Sequence, residues 1–337
     1  MSKAHTISAN GTTFPARSGD LILDSALRSG VDYPHDCRAG RCGSCLSRVM
    51  KGVTYGGESL QSGMVHACLA RVLTDVELRF EDLPPVEVRH GRVTSLVSRS
   101  FDVIEVGIAL DEAFDFYPGQ YCRFKFKGYP ERSFSPTWPV DLVRRNDDVT
   151  LHVKRVRGGL VSNALGNDIK VGHRVSVEGP FGAAFYRSSL GQRLVLVAGG
   201  TGFAPILSIA MAALAEDPQR QICLIVGTRT IQQLYMATGL VTLRRFPGVK
   251  FTIAASEVPE SIHIVRRGSP ADFLPVLNDN DVVYAAGAPA MVLKVAEAAE
   301  LADAEFHSDP FAPGPRRAEG WFRRLKARAN DARSEAA

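Results

Sequence analysis

No stretch of this 337-residue chain approaches the roughly eighteen uninterrupted apolar residues that a membrane-spanning helix requires. No secretory signal, internal repeat or low-complexity segment is visible either. Six cysteines without a secretion signal argue against a disulfide framework and lead us to expect a cytoplasmic protein. Excess charge of one sign is missing from most of the chain. The net charge of +4 is carried by the segment from Gly314 onward, where Arg316, Arg317, Arg323, Arg324, Lys326, Arg328 and Arg333 outnumber Glu319, Asp331 and Glu335. The remainder is balanced, so nucleic acid is not an expected partner.

What is present is concentrated in four cysteines. Cys37, Cys42 and Cys45 follow a C-x4-C-x2-C spacing in one turn-rich loop, and Cys68 follows the last of them after 22 intervening residues. That spacing fits the plant-type [2Fe–2S] arrangement, in which a loop wraps the cluster and a distant cysteine closes it. Gly40 and Gly43 let the backbone pass close and aim amides at the sulfides. A zinc site, the remaining alternative, more often uses two C-x2-C knuckles, and only Cys42/Cys45 form one. A Rieske centre needs two histidine ligands, and His66 stands in the wrong order before Cys68. Cys122 and Cys223 lie in apolar runs and read as small core residues.

Three segments are expected, at residues 1–84, 88–188 and 190–313, followed by a basic tail at 314–337. The first opens with a hairpin turn at Asn10-Gly11 and a helix near Leu21–Ser29 stopped by Gly30, and it ends at a proline linker, Asp82-Leu83-Pro84-Pro85. The second is rich in short strands (RVTSLV, DVIEVGIAL, QYCRFKF, DVTLHVKRV, HRVSVEG), which predicts a small antiparallel β-barrel interrupted by one helix near Val161–Leu165. In the third, strands RLVLVA, QICLIVG, KFTIAA and DVVYAAG alternate with helices, one of them expected around Ile231–Phe246. This pattern predicts a doubly wound parallel sheet. The overall class is multidomain, α+β and α/β.

The motifs PGQY (118–121), RSFS (132–135), the glycines and serine of Gly158–Ser162, GPFG (179–182), GGTGFAP (199–205), GAPAMV (287–292) and HSDPF (307–311) occur in order behind the cysteine loop. Over roughly residues 4–314 this order resembles the ferredoxin–NAD(P)H reductase superfamily, in the subgroup with an N-terminal plant-type ferredoxin domain. The wording is most similar to reductases of the naphthalene and terephthalate dioxygenases. The resemblance implies a β-grasp ferredoxin domain, a flavin-binding barrel holding FAD and a nucleotide-binding domain for NADH, with NADPH left open.

It also implies roles for particular residues. Arg132 would neutralise the flavin phosphates, with Ser133 beside it; Phe134 would stack on the isoalloxazine and Ser135 hydrogen-bond near flavin N5. Gly158, Gly159 and Ser162 precede a short helix whose free amides would face phosphate. His152, Val153 and Lys154 would present backbone groups to the flavin, although core packing alone also explains that strand. Gly200, Thr201 and Gly202, following a buried strand and opening a helix, suit a pyrophosphate. Gly287 and Pro289 form the second glycine turn, beside the nicotinamide. Arg229 lies where the adenosine ribose is expected and fits either nucleotide. Asp309 and Phe311 resemble an acidic–x–aromatic ending that approaches the flavin, with Phe311 as a core aromatic the competing reading. The family usually has a cysteine before Gly287; this chain has Ala286, and an altered hydride step is expected.

Together these readings describe NAD(P)H delivering two electrons to the flavin and the cluster passing single electrons to a partner. The expected partner is the terminal component of a Rieske-type aromatic-ring-hydroxylating dioxygenase, reached directly or through a separate ferredoxin. Alternatives are a di-iron monooxygenase, a deoxysugar dehydrase, or a redox sensor without turnover. Arg38, Arg41 and Arg48 near the cluster loop could tune the cluster or dock the partner, or be ordinary solvated charge. Trp321, Phe322 and Leu325 among the tail arginines are a candidate for a short basic helix; a frayed, solvated terminus is favoured there over membrane-surface or partner contact.

Overall fold

A computed structural model of the chain describes residues 3–59, 63–137, 147–188, 191–259 and 264–311. The basic tail with Trp321, Phe322 and Leu325 lies outside the described residues. No helix among the described residues is long and apolar enough to cross a membrane.

Strands β1 (Ala4–Ala9) and β2 (Thr12–Arg17) pair as the hairpin expected at Asn10-Gly11. Helix α1 (Ile22–Arg28) follows, then β3 (Leu46–Lys51), β4 (Thr54–Tyr55), β5 (Met64–His66), β6 (Arg71–Val72) and β7 (Val76–Arg79). The sheet order β2-β1-β7-β3-β5 places β1 parallel to β7 at the centre, with β4 and β6 forming a separate ribbon. Ile22, Leu23 and Ala26 share one face of α1, are fully buried, and pack on Ile7, Phe14 and Leu78 of the sheet. This is the β-grasp fold, and its cysteine loop lies between α1 and β3.

Strands β8 (Glu87–Ser98), β9 (Val103–Leu110), β10 (Tyr121–Phe126), β11 (Arg132–Phe134), β12 (Asp148–Lys154) and β13 (Arg174–Phe181) make an antiparallel sheet in the order β11-β10-β13-β8-β9-β12, with α2 (Leu160–Ala164) between β12 and β13. An isolated bridge between Thr137 and Thr150 links the two ends of the sheet and rolls it into a half-barrel. Alternation sets the interior: Cys122, Phe124 and Phe126 of β10 and Val149, Leu151 and Val153 of β12 all point into one core.

Strands β14 (Arg193–Gly199), β15 (Ile222–Thr230), β16 (Val249–Glu257), β17 (Arg266–Arg267), β18 (Asp281–Gly287) and β19 (Glu305–Pro310) are all parallel, in the order β17-β16-β15-β14-β18-β19. They are joined by α3 (Phe203–Glu216), α4 (Ala237–Leu243) and α5 (Pro289–Leu301). Leu194 and Leu196 face α3, while Val195 and Val197 face α5, so period-two alternation in one strand supplies both layers of the doubly wound fold. Two details differ from expectation. The helix predicted around Ile231–Phe246 is a 3-10 turn at Ile231–Gln233, closed by a Thr230/Gln233 capping box, followed by the shorter α4. Strand β19 was not expected, because its polar residues lack strand character of their own; pairing with β18 makes it a strand.

Arg187 fastens the three units together. Its Nε donates to Glu81 Oε1 at 2.6 Å at the end of the first unit, its guanidinium covers the Phe185 ring, and its amide donates to the Tyr284 hydroxyl of β18 at 3.3 Å.

Candidate active site

The cysteine loop is organised before any cofactor is considered. Antiparallel pairing of Leu46 with His66, and the Ala67 amide donating to the Cys45 carbonyl at 3.1 Å, bring Cys45 beside Cys68. At the other end of the loop, the amides of Ala39, Arg41 and Cys42 each donate to Cys37 Sγ at 3.4 Å. A hydrogen bond from the Cys42 thiol, aided by those amides and working against burial, holds Cys37 down at about 4. Cys68 is also lowered, chiefly by the Cys45 thiol, while Cys42 and Cys45 are raised as the donors of these bonds and by burial. The sulfurs therefore gather as two pairs, Cys37 with Cys42 and Cys45 with Cys68. Among the described residues no group of three His, Cys, Asp or Glu side chains suits a single ion. Four soft donors in two pairs, ringed by amides, fit a two-iron cluster better than one tetrahedral zinc. Gly43 shows how close the packing is: its φ is +74°, and a Cβ there would stand 3.0 Å from that of Ala183.

A cavity of about 800 Å³ begins at Cys37 and Cys42 and runs past Phe134 and Ser135 of the barrel to Thr201, Asp309 and Phe311 of the nucleotide sheet. Its size is that of an organic cofactor site. Ser135 Oγ donates to Asp309 Oδ2 at 3.2 Å across the boundary between barrel and sheet. Burial pushes the Asp309 carboxyl up to about 6, against the Ser135 hydroxyl that pulls it down. On β12, His152 and Lys154 face the cavity, and Val153 points the other way into the barrel core. His152 Nδ1 is buried without a partner, an orphaned polar atom at the wall of a flavin-sized space. The ring meets Tyr235 edge-on at 5.1 Å, and Nε2 is 3.4 Å from Glu105. Burial would raise Glu105, but hydrogen bonds from His152 and Arg99 outweigh it and hold that carboxyl at about 2. Arg132 and Ser133 also line the cavity, with Arg132 exposed and donating to the Glu131 carbonyl at 2.7 Å. Phe311 is 38% exposed, so the reading of it as a core aromatic is set aside.

A second cavity of about 310 Å³ follows the carboxyl edge of the parallel sheet, lined by Gly199, Gly200, Thr201, Thr228 and Arg229 among others. Lys154 and Thr201 stand in the walls of both cavities, so the two abut. Close backbone approach shapes this edge. A Cβ on Gly202 would lie 2.2 Å from the Ala286 carbonyl oxygen, and one on Gly287, whose φ is +128°, would lie 2.5 Å from that of Gly199. Ala286 is the register partner of Asp309 on β19. Arg229 pairs with Glu257 at 2.9 Å.

Other expected residues stand apart. Gly158, Gly159 and Ser162 are outside both of these cavities, and Ser162 Oγ accepts the Val156 amide at 3.2 Å. Pro289 occupies the first turn of α5 and lines neither cavity. Cys122 is fully buried and Cys223 half-buried, each away from the cluster loop. Arg38 is paired with Asp24, and Arg41 lines the large cavity. Sequence reasoning missed Asp36, Tyr121, Arg123, Glu105 and Tyr235. Asp36 precedes Cys37 and Tyr121 ends PGQY, so those two carried a positional signal; the others carried none.

Fold and site together define an NAD(P)H-dependent flavin and iron–sulfur oxidoreductase. Comparison with known proteins agrees: residues 5–73 match the 2Fe-2S iron-sulfur cluster binding domain, 91–186 the oxidoreductase FAD-binding domain and 196–297 the oxidoreductase NAD-binding domain. The chain is 30% identical over 325 residues to the reductase component 2 of terephthalate 1,2-dioxygenase from a Comamonas species, covering 90% of this chain and 95% of that one. It is 27% identical over 336 residues to the ferredoxin–NAD(P)+ reductase component of the naphthalene 1,2-dioxygenase system of Pseudomonas putida, covering 91% and 98%. Among solved structures, a cytochrome P450 reductase from Amycolatopsis superposes with a TM-score of 0.68 at 28% identity, covering 92% of this chain and 99% of that one. The chain belongs to the family of oxygenase reductase components, in which electrons run from NAD(P)H through FAD to a [2Fe–2S] cluster.

Proposed function

We propose that this protein is the NADH-using reductase of a Rieske-type aromatic-ring-hydroxylating dioxygenase, working in the cytoplasm and delivering electrons to the terminal oxygenase directly or through a separate ferredoxin. The observation that carries the reading is the continuous cavity from Thr201 past Ser135–Asp309 to Cys37 and Cys42, which aligns an entry for electrons with an exit. The likeness to the terephthalate and naphthalene reductases supports the choice of partner class. The units proposed are residues 1–84, 88–188 and 190–313.

FAD, when bound, accepts an electron pair as hydride and releases the electrons singly. Arg132, Ser133 and Phe134 would hold it from the barrel and His152 to Lys154 from the opposite strand; Gly158, Gly159 and Ser162, outside the walls of the large cavity, would serve only a phosphate end that extends beyond it. Phe311 would cover it from the nucleotide side. Gly200, Thr201, Gly202 and Gly287 would seat the nucleotide, with Pro289 shaping the turn behind them and not touching it. Cys37, Cys42, Cys45 and Cys68 would ligate the cluster. Ser135 and Asp309 supply a hydroxyl and a carboxyl whose pKa of about 6 lies near working pH, a pairing suited to holding or passing a proton at Ser135 Oγ. No other acid–base group is demanded, because alignment does most of the work. The Glu257 carboxylate beside Arg229 repels a 2′-phosphate, which supports NADH over NADPH.

An absorbance spectrum of the purified protein tests the core of this reading. Flavin and [2Fe–2S] bands should both be present and both bleach with NADH. NADH oxidation coupled to a purified Rieske oxygenase, compared with a di-iron monooxygenase, then tests the partner; coupling only to the latter would replace the dioxygenase assignment. Absence of steady NADH oxidation with cytochrome c would favour a redox sensor.

A further inference from the structure

Tyr121 and Arg123 project from the same face of β10, while the intervening Cys122 turns into the barrel core. Both reach across to the ferredoxin unit and converge on Asp36, the residue before Cys37. The Tyr121 hydroxyl donates to Asp36 Oδ2, and the Arg123 guanidinium pairs with Oδ1. Arg123 is held from its own side by Glu178 of the neighbouring β13 at 3.2 Å, by Glu131 at 3.9 Å, and by the Phe181 ring beneath it at 4.5 Å. The Asp36 side chain is 8% exposed and that of Arg123 28%, so the carboxylate end of the pair is the one withdrawn from water.

Two backbone contacts accompany it. The Ala183 amide donates to the Cys42 carbonyl at 3.3 Å, and the Gly182 amide donates to Ser44 Oγ at 2.9 Å. The loop is therefore clamped to the barrel on both sides of the Cys37/Cys42 pair. The ion pair, anchored at a nearly buried carboxylate and braced by two further carboxylates and a ring, is the charged contact across this boundary, and fixing registry is the best-attested use of such a pair.

We propose that Asp36–Arg123, supported by Tyr121, is the positioning element that seats Cys37 and Cys42 against the flavin end of the barrel and so sets the rate of electron transfer from flavin to cluster. This rests on the cofactor placement proposed above. It adds no new chemistry: NADH gives up a hydride, two electrons with one proton; the electrons pass in two single steps through the cluster to the acceptor, and the proton is released to solvent.

Anaerobic stopped-flow reduction of the holoenzyme by NADH tests it, with flavin and cluster bleaching followed in the same trace for wild type, Arg123→Ala and Arg123→Lys. Arg123→Ala should slow the cluster phase at least about tenfold relative to the flavin phase, since small misplacements carry large rate losses. Arg123→Lys, which keeps the charge, should recover most of it. Hydrogen exchange on the same proteins gives a readout independent of turnover: the amides of Gly182, Ala183 and residues 37–45 should exchange faster in Arg123→Ala. A cluster phase within twofold of wild type despite faster exchange would overturn the proposal, and so would unchanged exchange. Should Arg123→Ala fail to load the cluster, Asp36→Asn decides, because it weakens the same ion pair at near-constant size: a slowed cluster phase supports the proposal, and a wild-type rate ends it. If NADH bleaches neither band of the wild type, the cofactor reading itself has failed; bleaching of the wild type with unaffected variants overturns the positioning role alone.

Discussion

Ser135 on the barrel and Asp309 on the last strand of the nucleotide sheet are joined by one hydrogen bond, Oγ to Oδ2 at 3.2 Å, across the boundary between the two units. They stand 174 positions apart in the chain and meet midway along the large cavity. Removing the hydroxyl with Ser135→Ala should slow reduction of the protein by NADH about 10- to 100-fold, with affinity for NADH changed by no more than a factor of about three. Rapid-mixing kinetics at several NADH concentrations separate the two; an unchanged limiting rate would remove Ser135 from the hydride step.

The same carboxyl makes stability depend on pH. The folded pKa of Asp309, about 6, is above the ordinary aspartate value of 3.8. A raised pKa stabilises the fold fully below about pH 4, and that contribution disappears as pH rises through about 6. Asp309→Asn should therefore match wild type near pH 4 and exceed it at pH 8, by on the order of 1–2 kcal/mol once partial exposure to the cavity is allowed for. Denaturant titrations of the cofactor-free chain at the two pH values provide the comparison, and equal stability at both would contradict the assigned burial.

The two kinds of cysteine should respond differently. Cys45→Ser is expected to abolish the visible and paramagnetic signals of the cluster while NADH-driven ferricyanide reduction through the flavin continues. Cys122→Ser should keep those signals and instead cost about 1–3 kcal/mol, because its hydroxyl would be buried in the barrel core. Loss of the cluster in both variants would show that Cys122 is not simply a core residue.

At the nucleotide edge, Gly202→Ala puts a methyl 2.2 Å from the Ala286 carbonyl, which neither the turn opening α3 nor the end of β18 can accommodate without moving. Destabilisation of about 1–3 kcal/mol is expected, together with at least tenfold weaker NADH binding, read by thermal melting and equilibrium titration.

Ala286→Cys is the converse substitution, adding a thiol at the residue paired in register with Asp309. A faster hydride step is expected in stopped-flow reduction by NADH. Rates identical to wild type would mean that alanine at this position has no catalytic consequence.

Much of this protein is determined locally. Cysteine spacing specifies the cluster loop, since three ligands and two turn glycines lie within nine residues, from Cys37 to Cys45. Period-two alternation in QYCRFKF and DVTLHVK specifies barrel strands, and the apolar run RLVLVA followed by glycines specifies a buried parallel strand that opens a helix. What failed to show was what depends on a neighbour. Strand β19 exists because Val282 through Gly287 offer it a partner, and its buried His307 lies stacked on Tyr284 at 4.9 Å. The predicted long helix at Ile231–Phe246 is interrupted because Gln233 turns back to cap Thr230. Only the tertiary structure decided how the parts face one another: Ser135 with Asp309, Arg187 with Glu81, and Arg123 with Asp36. Each of these pairs joins residues far apart in the chain whose types carry no mark of their partners. Sequence therefore determined which cofactors the units can hold, and packing between the units determined the path that connects them.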